Sequence, residues 1–247
     1  MKNILSSNLP FVNLYKKKDL RSSVVTQLLY GDNFKIIKKY GKWYKIRIKH
    51  DGYIGYIKNR KFSKFIKPNY KVSVLKAKIF RKPNTKSKSE KFLSYGSKIK
   101  ILKKVGNFAR IEKSWIKTSD IKPINLKYKN FFLDAKLFRN IKYVWGAKGY
   151  KGIDCSALIQ ILLNQNNKYC PRDSKDQENY FKKKVKIKNI KKNDLIFWKG
   201  HVAIALSKKK LIHAYGPMKK VVIMNVKKTI ERIKRTANLE VTSVRRI

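Results

Sequence analysis

The stretch Gly152-Ile153-Asp154-Cys155-Ser156-Ala157-Leu158-Ile159-Gln160 sets a cysteine between a glycine-rich loop and an apolar run. Asp154 to Leu163 reads as a helix, with Leu158, Ile159, Ile161 and Leu162 as its apolar positions. A cysteine in the first turn of a helix meets unpaired N–H groups and the positive end of the macrodipole, and both favour thiolate over thiol. A lone cysteine is more often buried and inert, so the rest of the chain has to decide.

Working outward, Asn130 to Phe138 reads as an amphipathic helix before the loop. Strands follow the cysteine helix at Leu195–Trp198, His201–Leu206, Leu211–Tyr215 and Val221–Val226. This pattern is that of a mixed α+β domain. The chain has three histidines, and two of them, His201 and His213, fall in these strands. A thiol nucleophile needs a base within hydrogen-bond reach and a third polar group to orient the base, and Cys155, His201 and His213 supply that set. Hairpin geometry puts the two histidines diagonally across adjacent strands, although sequence does not establish contact. His50 lies in a loop of the other half and reads as a surface residue. The two cysteines, Cys155 and Cys170, are too few for a disulfide scaffold and lack the paired spacing of a zinc site.

Residues 11 to 125 read differently, as short alternating strands broken by Gly, Asn, Asp and Ser, an all-β pattern. An internal repeat runs through them at a constant offset. Leu29-Tyr30-Gly31 through Ile46 matches Ser94-Tyr95-Gly96 through Ile111, pairing Gly31 with Gly96, Ile36 with Ile101, Gly41 with Gly106 and Trp43 with Phe108. The copies close on Tyr56-Ile57-Lys58 and Trp115-Ile116-Lys117. The repeat unit is domain-sized, which indicates a tandem pair of domains and not a solenoid. The second copy lacks Asp51-Gly52-Tyr53-Ile54-Gly55. Glycine, an alternating strand, a glycine turn, an aromatic residue and a closing strand together resemble the bacterial SH3-type barrel. Lys67-Pro68-Asn69 and Ile121-Lys122-Pro123-Ile124-Asn125 read as linkers, giving expected domains at 1–66, 67–124 and 125–247.

Composition bounds the partners. With 63 Lys+Arg against 14 Asp+Glu, the net charge of +49 attracts any polyanion, including nucleic acid or an anionic membrane surface, without choosing among them. The lysines are spread over every segment, as on solvated faces, so nonspecific polyanion binding is expected and an obligate nucleic-acid partner is not. No run has the length of an export signal or a membrane span, so a cytoplasmic protein without a transmembrane segment is the expectation. No dinucleotide loop, phosphate-binding Gly-Lys motif or carboxylate-rich metal cluster is present, and no cofactor is expected.

Six motifs in order carry a second resemblance: Tyr143-Val144-Trp145-Gly146, Asp154-Cys155-Ser156, Pro171-Arg172-Asp173-Ser174 with Gln177, Asp194-Leu195-Ile196-Phe197-Trp198, Gly200-His201-Val202-Ala203-Ile204 and Ile212-His213-Ala214. In these residues 126–247 resemble the NlpC/p60-type cell-wall cysteine peptidases. The resemblance implies a papain-like NlpC-type catalytic domain preceded by two small all-β SH3-like barrels. It implies hydrolysis of the bond between γ-D-glutamate and the diamino acid of peptidoglycan stem peptides, with Cys155 attacking, His201 as base and His213 holding the imidazole. It further implies that Tyr143 lines the site and that Asp154, Ser156, Arg172, Asp173 and Ser174 help bind the peptide. Tyr53 of the first barrel would close the pocket around a free N-terminal L-alanine, as expected of an enzyme recycling freed wall peptides. Ala157, Ala147 and Asn193 stand where the family usually has glycine, and none of them removes a catalytic atom. Three other readings stay open: hydrolysis of intact peptidoglycan, an amidase or acyltransferase of the same superfamily, and a non-catalytic binder of anionic polymer or nucleic acid.

Overall fold

The computed structural model describes residues 4–247, which divide into two compact units. One holds the chain up to Lys127 together with Gly146–Tyr150, and the other holds Tyr128–Trp145 and Lys151–Ile247.

The first unit is all-β. Its leading seven-stranded antiparallel sheet runs, in spatial order, Val24–Leu29, Phe11–Tyr15, Ile54–Lys58, Trp43–Ile48, Asn33–Tyr40, Ile4–Ser6 and Ser63–Lys64. Alternate residues point inward, so Val12, Leu14, Leu28, Phe34, Ile46, Ile48, Ile57 and Phe62 form one core. The second copy repeats the order: Ser89–Ser94, Lys76–Phe80, Ser114–Lys117, Phe108–Ile111 and Lys103–Val105. A three-stranded sheet of Lys98–Ile99, Tyr70–Val72 and Ile121–Pro123 completes it. The repeat therefore extends beyond the segment legible in sequence, because Phe11–Tyr15 and Lys76–Phe80 hold equivalent positions. Gly31 and Gly96 share a left-handed backbone, at φ +79° and +81°. Glycine is required at Gly31 for a second reason: a Cβ there would collide with the Lys98 carbonyl.

Asp32, beside that glycine, is buried. It accepts from the Leu29 N–H at 2.9 Å and pairs with Lys98 at 3.4 Å and Lys148 at 3.3 Å. Burial alone would push its carboxyl up, but Lys148 and then Lys98 hold it well below the carboxylate range. His50 also contributes to this field and lies 3.3 Å from Asp51. It is partly buried in a charged cluster, which corrects the surface reading. Tyr53 sits in a turn that Asp51 organises by accepting from the Tyr53 N–H at 3.0 Å, and its ring packs against the first barrel's core.

The second unit is α+β. A six-stranded antiparallel sheet runs Lys183–Val185, Val241–Arg246, Leu195–Trp198, His201–Ala205, Lys210–Tyr215 and Lys220–Asn225. Three helices accompany it: α1 (Cys155–Gln165), α2 (Ser174–Tyr180) and α3 (Val226–Ala237). Helix α1 is buried along nearly its whole length and packs on the His201–Ala205 and Lys210–Tyr215 strands. Among the described residues no helix is long and apolar enough to cross a membrane.

Two segments depart from the sequence reading. Leu133–Phe138 is a 3-10 helix, and its buried residues Ala135 and Phe138, with the buried N-cap Phe132 before them, recur every third position, which suits three residues per turn better than the α period. The strand expected to run to Val226 ends at Asn225, whose side chain accepts from the Lys228 N–H at 3.1 Å and caps α3. Helix α3 itself is so rich in Lys and Arg that its narrow apolar stripe at Val226, Thr229, Ile230 and Ile233 is easily overlooked in sequence.

Candidate active site

Cys155 is the first residue of α1, and Asp154 is its N-cap, accepting from the Ala157 N–H at 2.8 Å. The sulfur accepts hydrogen bonds from the backbone N–H groups of Ser156 and Val202. Val202 follows His201 directly, so this second contact brings the sulfur to the end of the strand that carries the histidine.

His201 and His213 meet across the hairpin. The strands pair Ile204 with Ile212 and Ala205 with Leu211, a register that sets the two histidines on a diagonal. His201 Nε2 lies 2.9 Å from His213 Nδ1. Aromatic neighbours hold both rings. Tyr215 stacks on His213 at 4.7 Å with planes 10° apart, and Trp198 lies 5.5 Å from His201. Trp198 belongs to one of the six sequence motifs but carries no assigned role there, and Tyr215 reads as a core residue at a strand end. Strand pairing brings Trp198 to His201, whereas Tyr215 meets His213 as the next residue on the same face of one strand.

The electrostatics of Cys155 overturn one expectation. The helix N-terminus was expected to favour thiolate, yet burial, followed by the Asp154 carboxylate, pushes the thiol up to about 12, against weaker pulls from the Val202 and Ser156 N–H groups and Arg172. Burial lowers His201 to about 4, and burial together with His201 takes His213 well below its ordinary value. The pair therefore rests as neutral thiol and neutral imidazole near pH 7. A neutral imidazole can still take the thiol's proton as sulfur attacks, which is general-base chemistry and needs no preformed ion pair.

Tyr143 is fixed by backbone pairing. Its N–H donates to the Lys219 carbonyl at 2.9 Å, and it bridges in parallel to Ile153. Burial and then the field of Cys155 raise its phenol, which keeps it a neutral donor close to the sulfur.

Three of the other residues read as peptide-binding, Asp154, Ser156 and Arg172, hold one another. Arg172 donates from Nη1 to Asp154 Oδ1 at 3.0 Å and to Ser156 Oγ at 2.9 Å, and from Nη2 to Asp154 Oδ2 at 2.6 Å. Gln177 Nε2 donates to the Ser156 and Pro171 carbonyls at 2.8 and 2.9 Å. Asp173 is the N-cap position of α2 and Ser174 its first residue. This polar cluster braces the turn that presents Cys155. Tyr53 belongs to the other compact unit.

Residues 140–237 match the NlpC/P60 family, and residues 14–62 match the bacterial dipeptidyl-peptidase Sh3 domain. The chain carries an NlpC/P60 domain behind a bacterial SH3-type domain. An all-β region matching the bacterial SH3-type family thus precedes, along the chain, a domain matching the NlpC/P60 family. The chain is 26% identical over 231 residues to Dipeptidyl-peptidase 6 of Lysinibacillus sphaericus, covering 82% of this chain and 84% of that protein. The fold matches an NlpC/P60 family protein from Bacillus cereus with a TM-score of 0.84 at 19% identity, covering 98% of this chain and 99% of the other. It also matches an NlpC/P60 endopeptidase from Photobacterium damselae with a TM-score of 0.63 at 14% identity, covering 98% of this chain and 70% of that one.

Proposed function

We propose that this NlpC/P60 domain cleaves the γ-D-glutamyl–diamino acid bond of peptidoglycan stem peptides, acting on free peptides with N-terminal L-alanine inside the cell. The observation that carries the chemistry is the polar chain at the hairpin, with His201 Nε2 2.9 Å from His213 Nδ1 and the N–H next to His201 donating to the Cys155 sulfur. Cys155 is the nucleophile. Its proton passes to His201 as the sulfur adds to the γ-carbonyl, and the C–N bond then breaks as His201 returns that proton to the leaving amine. Water, deprotonated by His201, hydrolyses the resulting thioester and restores the thiol. His213 orients the imidazole. Tyr143, with its neutral phenol, lines the site, and the Asp154–Ser156–Arg172 cluster, with Asp173 and Ser174, shapes the peptide-binding side.

The preference for a free dipeptide end draws on two names. The curated relative is a dipeptidyl-peptidase, and the barrel family is described as that of bacterial dipeptidyl-peptidases. Release of an N-terminal dipeptide requires recognition of a free amine, and Tyr53 is the first-barrel residue proposed to contact it.

The test is incubation of the protein and its Cys155→Ala variant with L-Ala-γ-D-Glu-diaminopimelate, with products read by mass. Release of L-Ala-D-Glu by the parent alone supports both bond and nucleophile. Faster digestion of intact sacculi than of the tripeptide would overturn the free-peptide reading.

A further inference from the structure

His213 has a neighbour on its far side. Its Nε2 lies 3.4 Å from the Met224 sulfur. The Lys210–Tyr215 and Lys220–Asn225 strands pair Leu211 with Met224 and His213 with Val222, so Met224 reaches His213 along the diagonal of one face. We propose that Met224 is a positioning residue that selects the tautomers of the histidine pair and so leaves His201 Nδ1 with the free lone pair that takes the Cys155 proton. This rests on the reading of His201 as the base.

The argument is one of proton counting. A thioether sulfur has no hydrogen to give, so in its contact with His213 it can only accept. His213 Nε2 must therefore carry the hydrogen, and in a neutral imidazole Nδ1 is then bare. Across the 2.9 Å contact a bare His213 Nδ1 requires an N–H on His201 Nε2. His201 Nδ1 is then an acceptor. In the opposite arrangement every hydrogen moves over: His213 Nε2 would turn a lone pair toward the sulfur lone pairs, and His201 Nδ1 would hold a proton and could not act as base. A hydrocarbon side chain at 224 has no preference between the two. The ring plane of His213 is already fixed by its stacking on Tyr215, so the difference falls on the position of the hydrogen and not on that of the ring.

The test uses the full chain labelled with 15N-histidine. Only three histidines contribute, so each ring's N–H pattern can be assigned by proton–nitrogen correlation near neutral pH. The expected parent spectrum shows both His201 and His213 protonated at Nε2. A parent spectrum with His213 protonated at Nδ1 would overturn the proposal without any variant. Met224→Leu keeps side-chain volume and is expected to fold. It should show mixed tautomers, together with a roughly three- to tenfold slower alkylation of Cys155 by iodoacetamide, the size expected from losing one modest hydrogen bond. In that reaction sulfur bonds to carbon, iodide leaves and the thiol proton goes to His201, so no peptide substrate is involved. Peptide mass mapping separates Cys155 from Cys170. Unchanged tautomers in Met224→Leu, whether or not alkylation slows, would reduce Met224 to packing and sink the proposal. Failure of the tripeptide assay beside the expected tautomers would count against the substrate reading and support the role of Met224.

Discussion

Arg172 holds both carboxylate oxygens of Asp154, from Nη2 at 2.6 Å and Nη1 at 3.0 Å, with only 2% and 7% of the two side chains exposed. The same carboxylate caps α1 through the Ala157 N–H. One ion pair therefore fixes the start of the helix on which Cys155 stands.

Removing the cation should leave that carboxylate buried without its partner. Arg172→Ala is expected to cost about 3–5 kcal/mol of stability, the range for breaking a buried pair. Arg172→Lys should recover only part of this, because an ammonium cannot match the two-pronged geometry. Chemical denaturation of both variants checks the order, and an Arg172→Lys variant as stable as the parent would contradict it.

The protonation of the resting pair predicts an unusual reactivity profile for Cys155. Because neutral His201 takes the thiol proton, alkylation should rise through about pH 4 and then stay level through neutral pH, while a His201→Gln variant, with the thiol near 12 and no base beside it, should keep climbing between about pH 7 and about pH 10. A His201→Gln variant with the parent's level profile would remove His201 from the proton transfer. The same shift has a stability consequence. His201 binds its proton less readily in the folded state than in the unfolded chain, so its contribution is complete above its ordinary 6.5 and is lost as pH falls from there through about 4. Unfolding midpoints of the parent and a His201→Gln variant should converge over that window as the parent alone loses this contribution.

The acidic cluster of the first unit predicts a second, lower transition. Asp51 is held at about 2 and Asp32 lower still, so their stabilisation is present above 3.8 and drains away as pH falls through their folded values. Asp32→Ala should be destabilising at neutral pH by about 3–5 kcal/mol, since it strands the buried Lys148 ammonium. Lys148→Met together with Asp32→Leu should recover much of that loss, and thermal melts of the single and double variants test it.

Two glycines of the first barrel separate backbone strain from collision. Gly41 has φ +53° and open space around its Cβ position, so Gly41→Ala should cost only the left-handed penalty of about 1–2 kcal/mol. Gly31→Ala adds a collision with the Lys98 carbonyl and should cost clearly more. Equal melting temperatures for the two variants would refute the distinction.

Much of this protein was legible in local pattern. Strand alternation, the repeat pairing Gly31 with Gly96, the helix beginning at the cysteine and the two histidines in neighbouring strands all depend on residues close in sequence, where side-chain period and turn chemistry act directly. The 3-10 helix at Leu133–Phe138 and the basic helix α3 were missed or misread because short or charge-masked periods are weak signals. Tertiary structure alone decided the rest. It set Met224 against His213, Val202 against Cys155, Arg172 against Asp154 and Lys148 against Asp32. It also reversed the expected ionisation of Cys155, since the helix terminus that favours thiolate is visible in sequence. The burial that opposes it arises only once α1 packs on the sheet, where desolvation of a charge outweighs a few backbone dipoles.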